Sequence, residues 1–171
     1  MPDHQVFIAL GGNIGDVLQS FREAIDFLDT HAISVQKFSS AYQTPALVAD
    51  SSQSDLPPYW NAVIEVKTSL KPLELLAAIQ SIEHKLGRVR QKLWDSRTLD
   101  LDILLYGACR VEQETLTIPH YAMHKRVFVL QPLVEIAPDV EIPGLNKTAA
   151  QQLEQLPRHR DDILKIEENW F

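Results

Sequence analysis

The chain has almost no means of cross-linking itself. One cysteine, Cys109, in 171 residues allows no internal disulfide and no cysteine-rich metal site. No apolar run approaches the roughly 18 residues that suggest a membrane-spanning helix. The N-terminus lacks a cationic stretch followed by an apolar one, so it does not read as a secretory leader. Positive charge is in deficit, with 16 Lys and Arg against 23 Asp and Glu for a net charge of −7, which argues against long nucleic acid as a partner. The histidines offer only His120 and His124 at close spacing, and Tyr121 stands where a zinc-protease pattern needs Glu. No repeat, low-complexity tract or linker divides the chain. These absences, with an ordinary 45% hydrophobic content, point to a single domain over residues 1–171, a reduced cytoplasmic enzyme or binding domain with its own core.

What the chain does have is Arg97-Thr98-Leu99-Asp100-Leu101-Asp102, running on through Ile103-Leu104-Leu105-Tyr106 to Gly107. The apolar run reads as a buried strand, on which residues two apart share a face. Asp100 and Asp102 then point one way, about 6.5–7 Å apart at Cα, and Leu99, Leu101 and Ile103 the other. Two carboxylates side by side on an apolar strand are costly to desolvate without a cation between them. Hard oxygen donors in so small a number suit Mg²⁺, which fills its shell with water and substrate phosphates. The alternative is an exposed face with two solvated acids.

Just upstream, Lys85, Arg88, Arg90, Lys92 and Arg97 form a cationic segment on an acidic protein. Guanidinium forks grip phosphate oxygens, so arginines followed by a carboxylate pair supply both halves of a phosphoryl-transfer site. The plain alternative is a solvated basic loop. Gly11, Gly12 and Gly15 lack the full phosphate-cradle spacing and read as a turn into the first helix.

Periodicity orders the elements. Val6–Leu10 reads as a strand stopped by Gly11-Gly12, and Asp16 caps a helix to about Thr30. Residues 33–42 alternate as a strand, 44–58 form a Pro- and Ser-rich loop, and 60–69 form another strand. Pro72 opens a helix to Gly87, and residues 99–105 complete β-α-β-β-α-β. That order predicts an α+β fold of the ferredoxin-like class, an antiparallel sheet with helices packed on it. Further helices fall near 125–136 and 148–156, and residues 163–170 form an edge strand or a tail.

Several motifs together resemble a family. They are Ala9-Leu10-Gly11-Gly12-Asn13, Tyr42-Gln43-Thr44-Pro45, Tyr59-Trp60-Asn61-Ala62-Val63, Gly87-Arg88-Val89-Arg90, the Arg97–Gly107 segment, Ile118-Pro119-His120, Arg126-Val127-Phe128 and Leu130–Pro138. In this order they resemble the 6-hydroxymethyl-7,8-dihydropterin pyrophosphokinases of tetrahydrofolate biosynthesis. The resemblance implies transfer of the pyrophosphoryl group from ATP, as co-substrate, to a pterin hydroxymethyl, leaving AMP. It implies small-molecule partners, ATP and a dihydropterin, with no nucleic acid and no membrane, and a monomer.

It also implies roles. Asp100 and Asp102 would hold two Mg²⁺ ions, with Asp100 near the attacking hydroxyl, and Arg88 and Arg97 would stabilise the transferred group. Arg90, His120, Tyr121 and Arg126 would hold the nucleotide phosphates, and Gln80, Glu83, Ile103 and Thr117 would line the nucleotide side. Tyr59 and Phe128 would clamp the pterin. Asn61, Thr44, Pro45 and Leu47 would read its edges, and Trp94 would close over it. The family commonly has Arg-Trp-Gly-Pro-Arg where this chain has Leu93-Trp94-Asp95-Ser96-Arg97, which loses an arginine and adds an acid beside the phosphates. Two rivals follow: a paralogue that binds but turns over poorly, and a ferredoxin-like regulatory module.

Overall fold

Nine residues, His4–Gly12, form the first strand, β1, and their alternation divides the molecule into two cores. Val6, Ile8 and Leu10 join a buried cluster with Phe21, Ala24, Ile25 and Leu28 of one helix and Leu75, Ile79 and Ile82 of another. Phe7 points the other way, into a cluster with Leu130, Leu133 and Leu153. A strand apolar on both faces needs cover on both, and three layers result. The structure, a computed structural model, describes residues 3–30, 32–46, 56–87, 99–157 and 163–171.

The helices are α1 (Val17–Asp29), α2 (Pro72–Lys85), α3 (Val127–Ile136) and α4 (Ala149–Glu154). The further strands of the main sheet are β2 (Ile33–Phe38), β3 (Ala41–Thr44), β4 (Tyr59–Thr68) and β5 (Asp100–Tyr106). Two small hairpins follow: β6 (Val111–Gln113) with β7 (Leu116–Ile118), and β8 (Glu141–Ile142) with β9 (Lys147–Thr148). β10 (Lys165–Glu167) closes the set. The sheet order is β10-β3-β4-β1-β5, with β2 also on β4, and every pairing is antiparallel. With α1 and α2 on one face, this is the expected ferredoxin-like core. α3 and α4 cover part of the other face.

Local chemistry places the helices where the sequence puts them. The Asp16 carboxylate accepts from the Gln19 N–H at 3.0 Å and caps α1, whose buried stripe is Val17, Phe21, Ala24, Ile25 and Leu28. Pro72 occupies the start of α2, and Glu74 accepts from the Lys71 N–H at 2.8 Å.

Four details differ from expectation. β1 does not stop at Leu10, because Gly11 and Gly12 still pair with Asn61 and Trp60 of β4. The strand expected over 33–42 breaks at Ser39-Ser40 into β2 and β3. There the Ser39 hydroxyl accepts from the Val63 N–H at 2.9 Å and donates to the Ser40 carbonyl at 2.7 Å. The two hairpins have strands of three and two residues, too short for periodicity to reveal. The C-terminal segment is an edge strand and more: Trp170 is fully buried in the first core. Its ring lies 5.6 Å from Phe21 and 5.8 Å from Phe38, and its indole N–H donates to the Ser39 carbonyl at 2.8 Å.

Candidate active site

Strand register assembles the polar half of the second face. Asp100 pairs with Gly11 and Asp102 with Ala9 on one side of β1, while Asn61 pairs with Gly11 and Val63 with Ala9 on the other. β3 then sets Tyr42 opposite Asn61 and Thr44 opposite Tyr59. Paired residues share a face, so one row across the sheet reads Tyr42, Asn61, Gly11, Asp100, and the next reads Val63, Ala9, Asp102. Leu99, Leu101 and Ile103 are buried in the opposite core, as alternation requires. Asp100 is half-buried and Asp102 exposed.

The floor of this half is made of small residues. Along β1, Phe7, Ala9 and Gly11 shrink toward the carboxylates, whereas Val6, Ile8 and Leu10 on the other face do not. A Cβ at Gly11 would come 3.6 Å from Asn61 Oδ1, so the glycine leaves open a space beside a polar atom. A bulge adds a second adjustment. Ile103 pairs with Ile8 and Leu105 with Phe7, leaving Leu104 unopposed, and both Leu104 and Leu105 join the second core.

The bulged edge receives the segment after β7. The His120 N–H donates to the Leu104 carbonyl at 3.0 Å, and the Ala122 N–H donates to His120 Nδ1 at 3.3 Å. Burial pushes the imidazole below its ordinary pKa; Asp102 opposes that shift and Arg126 reinforces it. The His120 ring stacks on Tyr121 at 4.8 Å, and Tyr121 is 70% exposed. The Arg126 guanidinium lies 5.7 Å over the Phe128 ring at the start of α3.

The structure therefore brings Asp100, Asp102, His120, Tyr121, Arg126 and Phe128 into one neighbourhood. Asn61 and Thr44 meet directly, the Asn61 amide donating to Thr44 Oγ1 at 3.2 Å. Tyr59 opens β4 half-buried, and Pro45 follows β3 exposed. Glu83 is buried and its Oε1 accepts from the Leu101 N–H at 2.7 Å, so that oxygen braces the edge strand. Gln80 and Thr117 are exposed on α2 and β7. Ile103 keeps its side chain in the core, which leaves only its main chain for a ligand. Leu47, Arg88, Arg90, Trp94 and Arg97, with the Asp95-Ser96 departure, lie outside the described residues.

Among the described residues no three His, Cys, Asp or Glu side chains group to hold a metal. Asp100 and Asp102 are oxygen donors on one face, a set that fits Mg²⁺ and does not fit a zinc cage. Sequence reasoning missed Glu135, which accepts from the Ser40 N–H at 2.9 Å, from the Ser40 hydroxyl at 2.8 Å and from the Tyr42 hydroxyl. The available signal was that Glu135 is the lone charge in a ten-residue helix that is apolar everywhere else but Gln131.

Comparison with known proteins extends the local picture. The profile of the 7,8-dihydro-6-hydroxymethylpterin-pyrophosphokinase family matches residues 7–138. The chain is 47% identical over 137 residues to a Bacillus subtilis 2-amino-4-hydroxy-6-hydroxymethyldihydropteridine pyrophosphokinase, covering 79% of each. It is 40% identical over 158 residues to the Haemophilus influenzae protein of the same name, covering 90% of this chain and 94% of that one. Among solved structures, a Plasmodium falciparum HPPK-DHPS triple mutant superposes with a TM-score of 0.70 at 15% identity. That match covers 89% of this chain and 43% of the other, and it is a likeness of fold.

Proposed function

This chain belongs to the 7,8-dihydro-6-hydroxymethylpterin-pyrophosphokinase family, and from that premise we propose that it transfers the pyrophosphoryl group of ATP to the hydroxymethyl of 6-hydroxymethyl-7,8-dihydropterin, in tetrahydrofolate biosynthesis. The products are the pterin diphosphate and AMP. One observation carries the assignment to these residues: Asp100 and Asp102 share a face of β5, in register with the small floor of β1 and the Asn61-Thr44 pair.

In the reaction the pterin hydroxymethyl oxygen attacks the β-phosphorus, the bond to the α-phosphate oxygen breaks, and the hydroxyl proton is lost. Asn61 and Asp100 are separated in their row by Gly11 alone, about 10 Å at two strand spacings. A flat bicyclic ring held at Asn61 and Thr44 points its one-carbon arm along that row toward Asp100. Tyr59 and Phe128 clamp the ring, with stacking contributing about 0.5–1.5 kcal/mol beyond area burial. Arg126 supplies a fixed charge to the triphosphate, while His120 and Tyr121 flank it. Asp100 and Asp102 hold Mg²⁺, two ions in our reading. When bound, Mg²⁺ neutralises the charge that develops on the phosphate oxygens and eases ionisation of the attacking hydroxyl. Arg88 and Arg97 complete the charge around the transferred group, Arg90, Gln80, Glu83 and Thr117 the nucleotide side, and Leu47 and Trp94 the pterin side.

We read the chain as one catalytic domain and a monomer. β10 closing on β3 supports the first. Among the described residues no helix is long and apolar enough to cross a membrane. Dependence on ATP supports a cytoplasmic setting. The test is a coupled assay: AMP should form only when ATP, Mg²⁺ and the dihydropterin are all present. AMP release without the pterin, or ADP in place of AMP, would overturn the assignment.

A further inference from the structure

We propose that Glu135 is a positioning residue for the pterin subsite, fixing β3 relative to α3 through Ser40 and Tyr42. This inference rests on the functional reading above, because it concerns the ring-binding half of that site.

Three donors converge on one carboxylate. Oε1 accepts from the Ser40 N–H and hydroxyl, at 2.9 and 2.8 Å, and Oε2 accepts from the Tyr42 hydroxyl. A lone acid at the end of an apolar helix is ordinarily left to solvent. Glu135 keeps its exposure to solvent, yet both its oxygens also bind the point where the long strand breaks, between β2 and β3. β3 is only four residues long and pairs with β4 through Tyr42, Gln43 and Thr44. It leads into Thr44 and Pro45, which flank the pterin edge.

The helix supplies the other side of the pocket. α3 packs over β3 and β4, and it carries Phe128 in its first turn and Glu135 in its last. Ten helical residues make a rod about 15 Å long. The rod is anchored independently of Glu135, by Val129, Leu130 and Leu133 in the second core. One rigid element thus bears an aromatic jaw at one end and, at the other, the only charge among its ten residues, tied to the short strand that carries Thr44 and pairs it with Tyr59. Without the carboxylate, α3 and Arg126 stay in place, while β3, still paired with β4 and β10, loses its tether to the helix at Ser40 and Tyr42. Pterin binding then suffers and nucleotide binding does not. A residue that only stabilised the fold would affect the two ligands equally.

The full chain is tested as Glu135→Ala, Glu135→Gln and Tyr42→Phe. Equilibrium binding is measured for α,β-methylene-ATP with Mg²⁺, and for the pterin in its presence. Glu135→Ala should weaken pterin binding about tenfold or more, as loss of hydrogen bonds to a charged group implies, and raise the pterin KM in parallel. Nucleotide affinity should hold within about twofold. Glu135→Gln keeps one oxygen for Ser40 and should recover part of the loss, and Tyr42→Phe should show a smaller loss in the same sense. Unchanged pterin affinity, or equal losses for both ligands, would overturn the inference. If Glu135→Ala does not fold, the other two variants decide by the same criterion. If the wild-type chain binds no pterin and releases no AMP, the functional reading fails instead and takes this inference with it.

Discussion

The two faces of the central sheet use the same strands for opposite purposes. Toward α1 and α2, β1 presents Val6, Ile8 and Leu10, and β4 presents Ala62, Ile64 and Val66, all buried. Toward α3 and α4 the same strands present Phe7 and Val63 to a core, with Ala9 at its margin, then Gly11 and Asn61 to the candidate site. One face is filled from end to end. The other is filled for half its length and then deprived of side-chain volume. The period-two alternation of a strand keeps these assignments apart, so a site can be carved on one surface while the other holds the fold. This separation predicts that substitutions on the open half change chemistry, and those on the filled face change stability.

The largest effect tests the open half at its edge. Asp100→Ala and Asp102→Ala should each lower AMP formation by on the order of a thousandfold, the worth of several kcal/mol of charge stabilisation. Unfolding free energy should move by no more than about 0.5 kcal/mol, since neither side chain belongs to a core. Near-normal turnover in Mg²⁺ by either variant would show that the pair does not hold the metal. A large loss of stability would show that the two faces are not separable.

The filled face was the more legible in the sequence. The apolar stripes of α1 and α2 and the strand ending at Tyr106 follow from spacing alone, and so does the Asp16 cap. The carboxylate pair was legible for the same reason: alternation puts Asp100 and Asp102 on one side whatever surrounds them. The row that gives them neighbours was not legible. Pairing of Asp100 with Gly11, and of Gly11 with Asn61, depends on register between strands about 50 and 90 residues apart in sequence, which no local pattern specifies. Trp170 was hidden likewise, because a tail residue shows its burial only through the cavity it fills among Phe21, Phe38 and Ser39.

Next in size is a stability effect on the filled face. Leu10→Ala removes a fully buried side chain directly behind the site and should cost about 2–5 kcal/mol of unfolding free energy. Pterin and nucleotide affinities, measured well below the variant's melting temperature, should stay near wild type. Selective loss of pterin binding would mean that packing on one face sets geometry on the other.

Smaller changes divide the open face itself. Tyr59→Ala or Phe128→Ala should weaken pterin binding by about tenfold, the scale of a lost stacking contact plus some burial, with less effect on nucleotide. Arg126→Ala should do the reverse by removing a charge-assisted phosphate contact, although Phe128 also loses the guanidinium above its ring. Titration of both ligands against each variant checks this. Parallel losses throughout would indicate one undivided pocket.

The smallest expected effect concerns the contact between Tyr42 and Glu135 beside the strand break, and it is read from pH. The Tyr42 hydroxyl is pushed well above its ordinary pKa of 10.0, first by burial, then by its hydrogen bond to Glu135 and by the charge of that carboxylate. In the unfolded chain the phenol ionises near pH 10, while in the folded chain it still keeps its proton there. Above that pH the folded state therefore binds more protons than the unfolded one, and stability must fall as pH rises. The contribution is whole below pH 10 and fades only above it. Tyr106, also raised by burial, adds a slope of the same sign from the filled face, so the wild-type alkaline limb is a composite. Tyr42→Phe removes one component and leaves the other. Denaturant unfolding from pH 8 to 11 should then show a variant less stable at neutral pH but with a shallower alkaline decline, the two curves converging. Curves that stay parallel would mean that Tyr42 ionises alike in both states, and that its hydroxyl is not held by Glu135 in solution.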